Sequence, residues 1–172
     1  MKTRILFLSL FLTTSIFAQT VNNTASFIDE FGKYQRDWAL IKSDGKYGFV
    51  NKCGETIVSP VYDLIGYFGE YKRNLALVKL RDKYGFINTE GEVVVDPIYE
   101  MINSFGEFQR HWALIKLNGK YGFINDEGEI IIEPVYDSFD YFGTKGKNLM
   151  PFIKDGKPGF INREGEVIFW NS

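Results

Sequence analysis

The sequence is poor in the residues that do most chemistry near neutral pH: one Cys (Cys53) and one His (His111) in 172 residues. A single Cys excludes a disulfide framework, and together the two cannot build a Cys/His zinc site. Nor is there a Gly-rich phosphate loop, a Ser/His/Asp set or a pair of carboxylates standing out from the pattern. No cofactor and no metal are therefore expected. Apolar runs are short as well. The longest, Ile5 to Phe17, is broken by Ser9, Thr13, Thr14 and Ser15. At about 1.5 Å per residue it falls short of a hydrocarbon layer roughly 30 Å thick. No charge of one sign dominates: 20 basic and 22 acidic residues give a net charge of −2. This offers nucleic acid no general attraction.

Aromatic and hydrophobic residues, by contrast, are plentiful, at 17% and 45% of the chain. That is too much for a disordered polymer and enough for one domain with a core. Residues 1–18 read as a signal peptide: Lys2 and Arg4 lead an apolar stretch that closes on the small Ala18. Ile16 is bulkier than is usual three residues before a cut. No Cys follows Ala18, so a lipid anchor is not expected. Without the leader the balance is 18 basic to 22 acidic residues. The expected address is the periplasm or the outside of the cell, with no membrane span in the mature chain.

After a polar linker at 19–25 the chain repeats itself. Ala39-Leu40-Ile41-Lys42 returns as Ala76 to Lys79 and Ala113 to Lys116, with Pro151-Phe152-Ile153-Lys154 as a worn, displaced fourth copy. Lys46-Tyr47-Gly48-Phe49-Val50-Asn51 is echoed at Lys83, Lys120 and Lys157. Gly54-Glu55 and Pro60-Val61-Tyr62-Asp63 follow in register. The units run 26–60, 64–97, 101–134 and 138–170, with a repeat of about 37 residues.

Each unit reads as β structure. Three short runs rich in β-branched and aromatic residues are bounded by turn signals such as Asp44-Gly45, Asn118-Gly119 and Asp155-Gly156. Arg81-Asp82 lacks the Gly and should form the poorest turn. Pro60 is expected to stop the third strand, and 63–75 to be irregular or a short turn of helix. Hairpin pairing places Ala39, Ile41, Gly48, Val50, Thr56 and Val58 on one face, and Leu40, Tyr47, Phe49 and Ile57 on the other. Both faces are apolar, so each unit needs cover on both sides. The expected fold is all-β: three-strand antiparallel units stacked as a short twisted solenoid-like array. A small four-bladed β-propeller is the alternative.

These motifs, in this order, resemble the WG-repeat family, whose units read Gly-Lys-Trp-Gly-Tyr-Ile-Asp, a β run, then Pro and Tyr-Asp. Tyr47, Tyr84, Tyr121 and Pro158 stand where that family most often has Trp. The resemblance covers 26–170 and implies a bacterial β-rich repeat protein, often secreted or envelope-linked.

A repeat is its own control, because a unique site should break the pattern. Cys53 fills the slot of Glu90, Glu127 and Glu164, and His111 that of Asp37, Asn74 and Asn148. Both read as tolerated polar positions. What recurs points to a surface instead. Lys46, Lys83 and Lys120 form a charged edge, while Tyr47, Tyr84 and Tyr121 form a ring-bearing face. Trp170 gives an apolar end. The expected function is a non-catalytic binding or scaffold module for a protein or peptide partner. A module for envelope or polysaccharide glycan comes second, and an enzyme third.

Overall fold

The computed structural model describes residues 27–144 and 148–169. The leader, the linker and Trp170 lie outside the described residues. The described residues form sixteen strands and no helix. They assemble into four antiparallel sheets of four strands, each sheet built from one stretch of chain in sequence order. By packing, the chain divides into two units, 1–63 and 64–172.

The first unit holds the first sheet: β1 (Phe27–Ile28), β2 (Trp38–Ser43), β3 (Lys46–Asn51) and β4 (Thr56–Tyr62). The two-residue β1 pairs with Ile41 and Lys42; its counterpart one repeat on, Leu64–Ile65, falls in the stretch 63–75 that was expected to be irregular. In the second unit, the second sheet is β5 (Leu64–Ile65), β6 (Leu75–Leu80), β7 (Lys83–Asn88) and β8 (Val93–Tyr99). The third is β9 (Met101–Ile102), β10 (Trp112–Leu117), β11 (Lys120–Asn125) and β12 (Ile130–Tyr136). The fourth is β13 (Ser138–Phe139), β14 (Leu149–Lys154), β15 (Lys157–Asn162) and β16 (Val167–Phe169).

The turns have plain local causes. Asp44 and Gly45 both take positive φ, at 49° and 79°, which matches the twist of the flanking strands. Arg81 and Asp82 adopt the same turn at 50° and 63°. The turn is therefore formed and strained, where a poor turn was expected. In the second hairpin, Gly54 closes a three-residue loop at φ 76° and its N–H donates to the Asn51 carbonyl at 2.8 Å. Asn51 Oδ1 accepts the Glu55 N–H at 2.9 Å.

Pro60 does not end its strand. β4 runs on to Tyr62, because the proline sits in a bulge on an edge strand and owes the ladder no N–H. The pairs are Tyr47 with Tyr62, Phe49 with Val58, and Val50 with Thr56, with register shifts between them. The shift between Phe49 and Val50 moves Val58 to the face of Phe49, opposite to the expected one. The shift at Pro60 explains Gly48: the bulged backbone of the neighbouring strand crosses where a Cβ would stand, 2.7 Å from the Pro60 nitrogen.

The fourth repeat needs a second correction. Lys154 pairs with Lys157 as Ser43 pairs with Lys46, so the copy is in step and not displaced. Met150 therefore fills the Ala39 slot, Phe152 that of Ile41, and Leu149 that of Trp38. Here β16 pairs regularly with β15 over the described residues. Gly159 lies instead under the Phe152 ring.

Within the second unit the sheets stack in chain order. Leu77, Phe86, Val95 and Tyr99 of the second sheet pack on Ile102, Ala113, Ile115 and Ile124 of the third. The third sheet's other face, with Trp112, Phe123, Ile132 and Tyr136, packs on Met150, Phe152 and Ile161 of the fourth. It is thus covered on both sides, as its two apolar faces require. Phe86 and Phe123 are fully buried, and each such ring contributes about 1.5–3 kcal/mol. In the first unit, Phe49 is fully buried against Tyr34 and Trp38, both at 5.3 Å.

Candidate functional site

The lysine edge is a series of internal ion pairs. Lys46 pairs with Asp63, Lys83 with Glu100 at 3.5 Å, and Lys120 with Asp137. Each carboxylate comes seventeen residues after its lysine, at the end of the strand that returns beside it. The acids of the second unit reach further. Glu100 Oε2 accepts the Gly119 N–H and Asp137 Oδ2 that of Gly156, both at 3.2 Å. One carboxylate so joins its own repeat's lysine to the next repeat's hairpin. The Lys120 hydrogen bond holds the Asp137 carboxyl below its ordinary range, and Asp137 in turn raises Lys120.

The tyrosines are half-buried and each is capped by a lysine from the adjoining strand. Lys42 lies 4.9 Å over Tyr47, Lys79 5.6 Å over Tyr84, and Lys116 5.1 Å over Tyr121. Pro158 breaks the series, and Lys154 instead covers Tyr136 of the preceding repeat at 5.4 Å. Trp38 and Trp112 are core residues. Cys53 is exposed in its turn.

His111 belongs to a cluster that sequence reasoning missed. Its Nδ1 lies 3.2 Å from Asp126 Oδ2, and the same oxygen takes Lys72 Nζ at 2.6 Å. Burial pushes the Asp126 carboxyl up, but hydrogen bonds from Lys72 and His111 outweigh it and the net shift is downward. Lys72 comes from the second repeat and Asp126 from the third, so the pair staples two sheets. The same spacing recurs one repeat on, where Gln109 Nε2 donates to the Arg163 carbonyl at 3.0 Å. The signal was present in the columns: Lys72 replaces Gln35 and Gln109, and Asp126 replaces Lys52, Thr89 and Arg163. Among the described residues no group of three His, Cys, Asp or Glu side chains is placed to hold a metal ion. Among them, too, no helix is long and apolar enough to cross a membrane.

Two further features stand out among the described residues. The first is a set of exposed β-branched residues on the edge strands. Ile98 is 48% exposed and Val135 39%, in the same slot of β8 and β12, with Val93 and Ile130 exposed at the strands' other ends. Val61 holds that slot in the first unit. Ending the strand at Pro60 hid these positions from the sequence reading. The second is a groove of about 480 Å³ between the second and third sheets, reached by Tyr71, Tyr84 and Glu100.

Four in-step sheets of one pattern, three of them carrying the same lysine–carboxylate pair, define an all-β tandem-repeat protein. The profile of the WG containing repeat matches residues 47–84, 84–121 and 121–157 in succession. The chain belongs to this family.

No curated protein matches the chain. Among solved structures, Kluyveromyces lactis Hsv2 is similar over 84% of this chain and 50% of its own, at 10% identity and TM-score 0.32. A KlHsv2 form with loop 6CD replaced by a Gly-Ser linker is similar over 82% of this chain and 51% of its own, at 8% identity and TM-score 0.36. The extracellular domain of a hybrid two-component system from B. thetaiotaomicron is similar over 86% and 22%, at 10% identity and TM-score 0.32. The chain spans about half the length of the Hsv2 structures and less than a quarter of the third.

Proposed function

We propose that this protein is an exported, non-catalytic binding module that holds a protein partner along its edge strands. The observation that carries this reading is the recurrence of an exposed Ile or Val at one edge-strand slot of successive repeats in the second unit, Ile98 and Val135. Lone exposed apolar residues are ordinary, but the same slot kept apolar from copy to copy offers a partner equivalent contacts. Stacked repeats supply such extended surfaces, and each copy adds a similar small term to affinity. The lysines serve the scaffold through Asp63, Glu100 and Asp137, which shifts the expected contact from the charged edge to these apolar positions. The leader at 1–18 supports export.

The partner is captured from native envelope and secreted fractions on the immobilised chain, identified, and then titrated. Ile98→Ser with Val135→Ser should weaken binding at least about tenfold with an unchanged melting temperature. Equal binding by the double variant removes the reading. Sequencing the exported chain tests the address, with Gln19 as the expected first residue.

A further inference from the structure

The groove between the second and third sheets has a counterpart one repeat on that carries more aromatic rings. Between the third and fourth sheets, Phe139 stands in the slot of Ile102, its ring 4.9 Å from Phe123 and 5.0 Å from Tyr136. Phe108 stands in the slot of Tyr71 and stacks on Tyr141 at 4.7 Å. At the first of these slots the earlier interface has a shorter aliphatic chain, and at the second a ring that also carries a hydroxyl. It holds an opening of about 480 Å³ with Leu77, Met101 and Ile102 among its walls. That size lies within the usual range of small-ligand pockets, roughly 300–1,000 Å³.

What the groove offers is specific. Leu77 and Ile102 are buried side chains and give an apolar floor. Its charges are already matched: Glu100 faces Lys83 and the Gly119 N–H, and Lys79 faces Asp82 at 2.8 Å. An ionic ligand finds no lone counter-charge there. The Tyr71 and Tyr84 hydroxyls, however, have no hydrogen-bond partner among the described residues. Burial, with Glu70 and Tyr84 nearby, pushes the Tyr71 phenol up, so it stays protonated and can donate as well as accept. Two uncommitted hydroxyls above an apolar floor fit a neutral ring with one C–H face and a hydroxylated rim. An apolar peptide side chain would fill the floor and leave both hydroxyls unused.

We propose that the groove between the second and third sheets, bounded by Tyr71, Tyr84, Leu77 and Ile102, binds a neutral hexopyranose unit of a saccharide. This site is separate from the edge-strand contact and stands or falls without it.

The test is a methyl-NMR titration of the full chain with cellotetraose, chitotetraose and mannotetraose, read at Leu77. At least one should give saturable shifts confined to the groove. Tyr71→Phe with Tyr84→Phe keeps both rings and should weaken that binding about tenfold or more. Ile102→Phe supplies the ring found in the next repeat and should abolish the shifts. Three results overturn the proposal: no saturable shift with any of the three sugars, undiminished binding by the double Phe variant, or N-acetyl-leucinamide shifting Leu77 where the sugars do not. The last would make the groove an apolar side-chain pocket. Melting curves of each variant separate lost binding from lost fold.

Discussion

Gly85 lies so close beneath the bulged backbone of β8 that a Cβ on it would press into the Val95 carbonyl and stand 2.7 Å from the Pro97 nitrogen. The neighbours are backbone on both counts, so no rotamer change makes room. Gly85→Ala should cost about 3 kcal/mol or more through displacement of the bulge. Gly122 meets Ile132 and Pro134 in the same way and should respond alike. Urea unfolding checks both. A stable Gly85→Ala variant would mean that the bulge is soft.

The Arg81-Asp82 turn holds two non-glycine residues at positive φ, where its counterparts put Gly second. Asp82→Gly should relieve about 1 kcal/mol of strain, less whatever the exposed Lys79 pair contributes. The net expectation is a higher melting temperature. Asp82→Asn, which tolerates this region but loses the charge, should fall between the two.

The contrast between that turn and the bulge shows what a sequence discloses. Turns are settled by φ preferences within four residues, so Asp44-Gly45 and Gly54 could be placed from composition. The Pro60 bulge depends on which strand lies at the edge and which neighbour tolerates a missing N–H, and neither is local. The fourth repeat misled for another reason: Pro151 to Lys154 imitates Ala39 to Lys42 in kind but sits one place out of step. Only pairing to Lys157 reveals that Met150 fills an alanine's slot. The Lys72–Asp126 staple joins residues far apart in the chain. The two charge replacements stand out in their repeat columns, but that the two columns meet depends on how the sheets stack.

Asp126 provides a pH test. Its folded carboxyl titrates below the ordinary value, so it contributes stability above that value and loses it as pH falls through the lowered one. Asp126→Asn should cost about 1 kcal/mol at neutral pH. It should also flatten the decline in melting temperature between about pH 5 and pH 2. Parallel acid limbs for variant and parent would show that the staple does not form in solution.

Cys53 and His111 bear on the non-catalytic reading. Cys53 is exposed in a turn, and His111 is engaged by Asp126, an interaction that an Asn amide can also make. Cys53→Ser with His111→Asn should alter stability by less than about 0.5 kcal/mol and leave complementation in the native host intact. Loss of activity with an unchanged melting curve would return a catalytic role to one of these residues.

The repeated lysines separate scaffold from contact most directly. Lys120 bridges Asp137 and Asp155, while Asp137 also holds the Gly156 hairpin. Lys120→Glu places three carboxylates together and should lower the melting temperature; Asp137→Lys alone should do the same by gathering cations. If the pair matters as a pair, the double variant Lys120→Glu, Asp137→Lys should recover part of the loss, and added salt should shrink all three differences. Recovery stays partial because an ammonium at position 137 offers no oxygen to accept the Gly156 N–H. Partner binding gives the second readout. Were the lysine edge the contact, the swapped double variant would fold but fail to bind. Binding that follows stability across the series assigns these lysines to the scaffold and leaves the contact on the edge strands that carry Ile98 and Val135.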